Sequence, residues 1–362
     1  MKSEELMRAV AICAHIRRPL YVAGDPGGGK TFSIRQGLKS IGYKPRDVRL
    51  GLLEPGDFSM PKINGDEATY VRPHWYPRPD ETKVAIVFDE WAQGHPSVQN
   101  AATCIIYDRE LHGRPLPVDT AIIAAGNLKS NRAATFDMPS HVANRFIHTT
   151  YESDIQNFVR YANNPHFIPE PPPLVPHDPN APFAEEVVGL LRYKPDLLNG
   201  FAAKDTGDGK KRDTWNSDEL ARPTARTWHF VSDLLPQVRN DRPMLRELVA
   251  GCVGDGPMAE LVSYIDLRAK MTNPMIVFRD PDNAPIPDDL SIRYALMVAL
   301  SRRVHEIKGA ADALFRFLGR LPAVDAADLA VYCVKDAMAI NRDIIKCKEG
   351  MKWSVANAGV ML

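Results

Sequence analysis

Apolar positions along this chain gather into short unbroken runs separated by amphipathic stretches. Leu20-Tyr21-Val22-Ala23 is the first run and predicts a short buried strand. Val84-Ala85-Ile86-Val87-Phe88 has no polar interruption, the pattern of a strand covered on both faces in a parallel sheet. Asp47 to Leu52, Thr120 to Ala125 and Phe146 to Thr150 read as further strands. Helical spacing fills the gaps. Ser3, followed by Glu4 and Glu5, opens a helix with apolar positions at Leu6, Val10 and Cys13, which Pro19 ends. Thr31 to Ser40 and Pro96 to Tyr107 read as two more helices, and Ser140 can cap a short one. Alternating strands and helices predict an α/β fold with a parallel sheet sandwiched by helices.

Two stretches break the alternation. Residues 53–80 contain Asn64-Gly65, a strong hairpin signal, followed by Pro73-His74-Trp75-Tyr76-Pro77. Residues 109–119 carry His112-Gly113-Arg114 between short extended pieces and predict a second hairpin. A proline-rich segment from Pro165 to Pro182 cannot be helix interior or central strand and reads as a semi-rigid connector. Beyond it the pattern is helical to the end, apart from a polar loop at Lys204 to Lys211.

The chemistry concentrates at strand ends. Gly24-Asp25-Pro26-Gly27-Gly28-Gly29-Lys30-Thr31 fits G-x-x-x-x-G-K-[ST], after a buried strand and before a helix. Glycines let backbone N–H groups wrap phosphates, and the helix N-terminus adds a favourable dipole. Lys30 would reach the outer phosphates, Thr31 would bind Mg²⁺, and Phe32 closes the nucleotide-binding stretch. The Val84–Phe88 run ends in Asp89-Glu90: Asp89 would hold the metal through water, and Glu90 would polarise the attacking water. Asn127 ends the next strand and could orient that water; a plain turn asparagine beside Gly126 is the other reading. Arg145 precedes the last strand, and Arg226 opens a helix in the second half. Each could be a solvated helix-end charge. Alternatively, Arg145 would act on a neighbouring subunit's γ-phosphate, and Arg226 would fold back over the nucleotide.

With these motifs in this order, the sequence resembles AAA+ ATPases over about residues 5–235, and in detail the MoxR-type branch. The resemblance is carried by the phosphate loop, Asp89-Glu90-Trp91, Asp108-Arg109-Glu110-Leu111, Ala124-Ala125-Gly126-Asn127, Ala143-Asn144-Arg145-Phe146, Leu191-Arg192-Tyr193-Lys194-Pro195 and Thr224-Ala225-Arg226-Thr227-Trp228. It implies Walker A roles for Lys30 and Thr31, and Walker B roles for Asp89 and Glu90. It further implies sensor 1 at Asn127, an arginine finger at Arg145, with Arg132 as a second trans-acting candidate, and sensor 2 at Arg226. It implies a core over residues 1–160 with hairpin insertions at 53–80 and 109–119, and a connector over 161–183. A helical lid would then span 184–240 and a helical extension 241–362. The hairpins would face the opening of a ring, making Trp75, Tyr76 and His112 substrate-contact candidates beside the plainer reading of packed aromatics. The implied function is Mg²⁺-dependent ATP hydrolysis in a hexameric ring that remodels a protein client, with a von Willebrand factor A-domain protein as partner.

Composition narrows the alternatives. Lys+Arg and Asp+Glu both total 45 in the 362 residues, which argues against a dedicated nucleic-acid binder. A basic pore lined by Arg72, Arg78, Arg109 and Arg114 keeps a nucleic-acid motor in view, and an ATP-gated scaffold is the third reading. No apolar run reaches the roughly 18 residues of a membrane span. The start of the chain does not read as a signal peptide, and Cys13, Cys104, Cys252, Cys333 and Cys347 are scattered without a C-x-x-C pair. Buried thiols, no membrane and a cytoplasmic location are the expectation.

Overall fold

The computed structural model describes residues 1–128, 136–200, 204–205, 211–212, 220–322 and 326–357; Arg132 lies outside them. The chain divides into two units. One holds residues 1–182 and 198–258, the other residues 183–197 and 259–362. This division cuts across the segments 184–240 and 241–362.

The first unit is built on a five-stranded sheet. Its strands are β1 (Leu20–Gly24), β2 (Lys44–Arg49), β5 (Val84–Asp89), β8 (Ala121–Asn127) and β9 (Ile147–Tyr151). They run parallel in the order β2-β5-β8-β1-β9. Val84–Phe88 and Ala121–Ala125 are almost wholly buried, as a sheet covered on both faces requires. The helices are α1 (Ser3–His15), α2 (Lys30–Ser40), α3 (Pro55–Phe58), α4 (Pro96–Tyr107), α5 (Ser140–Ala143) and α6 (Ile155–Asn163). An aromatic chain runs through the core, with Trp75 against Phe88, Phe88 against Trp91, and Trp91 against Phe146.

β2 departs from expectation. The strand occupies Lys44–Arg49, and Leu50–Leu52 forms a 3₁₀ turn instead. β2 is an edge strand in which Val48 alone is fully buried, so it lacks an apolar signature. Pro45 is tolerated because an edge strand has a side that needs no ladder donor.

Both expected hairpins are present: β3 (Pro61–Asn64) with β4 (Glu67–Tyr70), and β6 (Glu110–Leu111) with β7 (Arg114–Pro115). The second turns on His112 (φ 51°) and Gly113 (φ 71°), the paired positive angles of a tight hairpin turn. Between α6 and α7 (Glu185–Tyr193) no helix or strand interrupts the proline-rich segment. α8 (Ala225–Val238) and α9 (Arg242–Val253) belong to the first unit, where α9 lies on the edge strand β9.

The second unit contains α7, the greater part of α10 (Asp255–Arg268), α11 (Pro274–Arg279), α12 (Leu290–Arg303), α13 (Ala310–Leu318), α14 (Val331–Ile340) and α15 (Lys348–Ala356). Its core includes Leu296, Leu300, Leu314, Phe317 and Val334. Arg268 pairs with Glu185 and Glu186, and Arg192 with Asp336. Cys13, Cys252 and Cys333 are buried as expected, but Cys104 is exposed on α4. Among the described residues no helix is long and apolar enough to cross a membrane.

Candidate functional site at the carboxyl edge of the sheet

The register of the three central strands gathers the predicted groups. Gly24 of β1 lies opposite Asn127 of β8, and Phe88 of β5 lies opposite Ala124 of β8. The strands' carboxyl ends therefore bring the loop after Gly24, Asp89-Glu90 and Asn127 to one edge, where ligands of open α/β sheets bind.

The loop carries left-handed angles at Gly27 (φ 73°) and Gly29 (φ 95°), which a side chain would strain. Gly29 precedes α2 and offers no side-chain cap, leaving the first-turn amides for an anion. The loop is fastened from below by Tyr151, whose hydroxyl donates to the Gly28 carbonyl at 2.8 Å and lies 3.0 Å from Ser3 Oγ. Nothing in the sequence pattern singled out this tyrosine beyond its place at the end of a strand.

Lys30 is 8% exposed. Its ammonium donates to the carbonyls of Gly24 (2.8 Å) and Asp25 (2.7 Å) and reaches Asn127 Oδ1 at 3.4 Å. Burial pulls its pKa below the usual lysine range, while Asp89 and Asp25 push it back up. A buried ammonium held by neutral carbonyls is poised for a stronger anionic partner.

Thr31 Oγ1 donates to Asp89 Oδ2 at 3.0 Å. This hydroxyl and carboxylate are hard oxygen donors, a set that suits Mg²⁺ completed by water and phosphate oxygens. Among the described residues no group of three or more His, Cys, Asp or Glu is gathered that would cage a metal by protein alone. Asp89 Oδ1 also accepts from the Glu90 amide at 2.9 Å. Glu90 itself sits at φ 54°, ψ 36°, a left-handed conformation that costs a non-glycine residue about 1–2 kcal/mol. Such strain is typical of residues held for function.

Arg145 and Arg226 are elsewhere. Arg145 is two residues before Ile147, which pairs with Leu20 at the start of β1. The two arginines therefore stand at the amino edge of the sheet, about 13 Å of strand from Gly24. Both guanidiniums sit over the ring of Tyr107, with Cζ 4.9 Å from its centroid for Arg145 and 4.2 Å for Arg226. Arg17, Arg18 and Arg109 line the same cavity of about 540 Å³. Arg145 also donates to the His141 carbonyl. Burial and then the charge of Arg226 lower its pKa. The expected fold-back of Arg226 over its own chain's nucleotide is thus not the arrangement seen. Tyr107, which the motif reading passed over, is the ring that joins the pair.

The aromatic candidates divide. Trp75 and Tyr76 are core residues, 6% and 2% exposed, so packing accounts for them. His112 is exposed and stacks on Tyr70 at 3.9 Å, clasping the second hairpin to the first.

No family model matches this chain, and the search of curated proteins found no match. Among solved structures, one of a putative ATPase from Cytophaga hutchinsonii is similar with a TM-score of 0.35 and 18% identity, over 45% of this chain and 52% of that one. The likeness spans about half of that protein and carries no argument about activity.

Proposed function

We propose that the chain is a Mg²⁺-dependent ATPase. The observation that carries this is the contact of Thr31 with Asp89 beside the caged Lys30, with Glu90 next in sequence and Asn127 within reach. When bound, MgATP supplies the electrophilic phosphorus and much of the neutralising charge. Lys30 would exchange its carbonyl partners for phosphate oxygens. Thr31 and Asp89 would hold the cation. Glu90 would accept hydrogen bonding from the attacking water and set its line of approach, with Asn127 fixing that water from the side. Arg145 and Arg226 lie too far from Lys30 of the same chain, so they would complete the site of an adjacent copy in a ring. By the sequence resemblance, the ring would be a hexamer that remodels a protein client, with a von Willebrand factor A-domain protein as partner.

Glu90→Gln tests the core of this reading. It should leave MgATP binding within about threefold and cut turnover by two orders of magnitude or more, on the order of 3 kcal/mol of barrier. Undiminished hydrolysis by that variant sinks the assignment.

A second reading has one observation in its favour. Arg72, Arg78 and Arg114 line one cavity with His74 beside the hairpins, as a nucleic-acid motor would want. Arg109 does not join them; it is half-buried, lines the cavity of Arg145 and Arg226, and donates to the Thr120 carbonyl. Stimulation of turnover by DNA, falling steeply with salt, would favour this alternative.

A further inference from the structure

The sheet register sets Tyr151, the last residue of β9, opposite Gly24, the residue that opens the phosphate loop. The tyrosine is 2% exposed, and the loop rests closely on it. A Cβ on Gly28 would lie 3.4 Å from ring Cε1, and one on Gly29 would lie 3.4 Å from the hydroxyl. A buried phenol needs partners for its one hydrogen and for its oxygen. The hydrogen goes to the Gly28 carbonyl at 2.8 Å, and Ser3 Oγ stands 3.0 Å from the oxygen. Phenylalanine would fill the same space, so the hydroxyl calls for its own account.

That hydroxyl acts on a peptide plane. Among the described residues there is no cis peptide bond. In a trans peptide the C=O of one residue and the N–H of the next point in opposite directions. A Gly28 carbonyl drawn to Tyr151 therefore turns the Gly29 N–H away from it. Gly27–Gly29 line a cavity of about 690 Å³ whose lining does not include Tyr151. The Gly29 amide makes no backbone hydrogen bond among the described residues. A plane between two glycines rotates at little steric cost, so the residues themselves do not hold it. The tyrosine does.

We infer that Tyr151 is a positioning residue for the phosphate loop: its hydroxyl holds the Gly28–Gly29 peptide with N–H toward the anion and C=O away from it. The inference rests on the ATP reading above and adds to it a residue outside the loop on which the loop's binding geometry depends. The reverse orientation would set a carbonyl oxygen against a phosphate oxygen, two acceptors with no proton between them. Tyr151 itself touches neither phosphate nor metal; it acts through the Gly29 amide. That amide would meet the phosphate chain in the bound ground state as much as in the transition state. Losing its orientation is thus a loss of uniform binding, which raises KM and leaves kcat. Ser3 is not needed for this, because the single phenolic hydrogen is already on Gly28.

Tyr151→Phe tests this, since it removes the hydroxyl and keeps the ring. The full chain, Tyr151→Phe and Ser3→Ala are compared for MgATP affinity by calorimetry, for kcat and KM, and for the thermal midpoint without nucleotide. Tyr151→Phe should weaken MgATP about tenfold, with KM rising in step and kcat staying within about twofold. Ser3→Ala takes a partner from the same buried pair and spares the bond to Gly28. It should lower the midpoint as Tyr151→Phe does, while keeping affinity within about twofold. An affinity of Tyr151→Phe within about twofold of wild type, a fall in kcat with KM unchanged, or an equal loss of affinity in Ser3→Ala overturns the inference. Lys30→Ala separates the two levels. If that variant binds MgATP normally, the phosphate-loop reading fails and takes this inference with it. If it loses binding while Tyr151→Phe keeps it, the positioning role fails alone.

Discussion

Single residues show where local preference has been overridden. Glu90 holds a left-handed backbone that most residues avoid, immediately after β5 (Val84–Asp89), in which no residue has a positive φ. Its neighbour Asp89 stabilises that turn by accepting the Glu90 amide. The sequence singles out both residues as site candidates, because two acids after five apolar residues have few structural uses; the backbone geometry of the turn is not legible there. The buried imidazole of His148 was not legible. It lies in β9 among Tyr21 and Phe146, with Nε2 against the Ala143 carbonyl and Nδ1 unpaired. Burial drops its pKa from 6.5 to about 4, outweighing the carbonyl contact. The folded chain therefore keeps it neutral while the unfolded chain protonates. Its contribution is fully present above pH 6.5 and is lost as pH falls from there towards 4, on the order of 3 kcal/mol over that window. Denaturant melts of wild type and His148→Leu between pH 7 and 4 should show the shallower slope for the variant; parallel slopes would remove His148 as the source.

Among elements, the buried strands and the helices after them were the most readable, because unbroken apolar runs admit few alternatives. β2 was misplaced for the opposite reason. As an edge strand it is polar along most of its length, and its ion pairs Arg35–Asp47 and Arg46–Glu81 depend on partners remote in sequence. The hairpins announced themselves through Asn64-Gly65 and His112-Gly113. Their mutual clasp through Tyr70 and His112 is a tertiary fact that no local pattern carries. The seating of α9 on β9 is another. A Cβ at Gly251 would come 1.9 Å from the His148 carbonyl oxygen, so that helix can lie on the strand only where a side chain is missing. Gly251→Ala must push α9 away from β9 and should cost about 1–3 kcal/mol. A thermal midpoint unchanged from wild type would show that the helix shifts freely.

At the scale of the whole molecule, the divided placement of the site is the central fact. Lys30, Thr31, Asp89, Glu90 and Asn127 stand at one edge of the sheet, and Arg145 and Arg226 at the other. The order of motifs along the chain could not reveal this, because successive motifs can lie at either end of a strand; the register of β1 against β9 decides it. On the proposed reading, neither Lys30→Ala nor Arg145→Ala should turn over ATP alone. An equimolar mixture should recover about a quarter of wild-type activity if copies mix at random, since one variant contributes the intact phosphate edge and the other the intact arginine edge. A mixture as inactive as its components would place the arginines outside the reaction. The shared seat of the two arginines on Tyr107 has a consequence for where a defect is felt. A defect in the phosphate loop would silence only the copy that carries it. On the proposed reading, loss of Tyr107 would instead leave its own copy's loop whole and disarm the neighbour's, so the altered residue and the silenced site would belong to different copies.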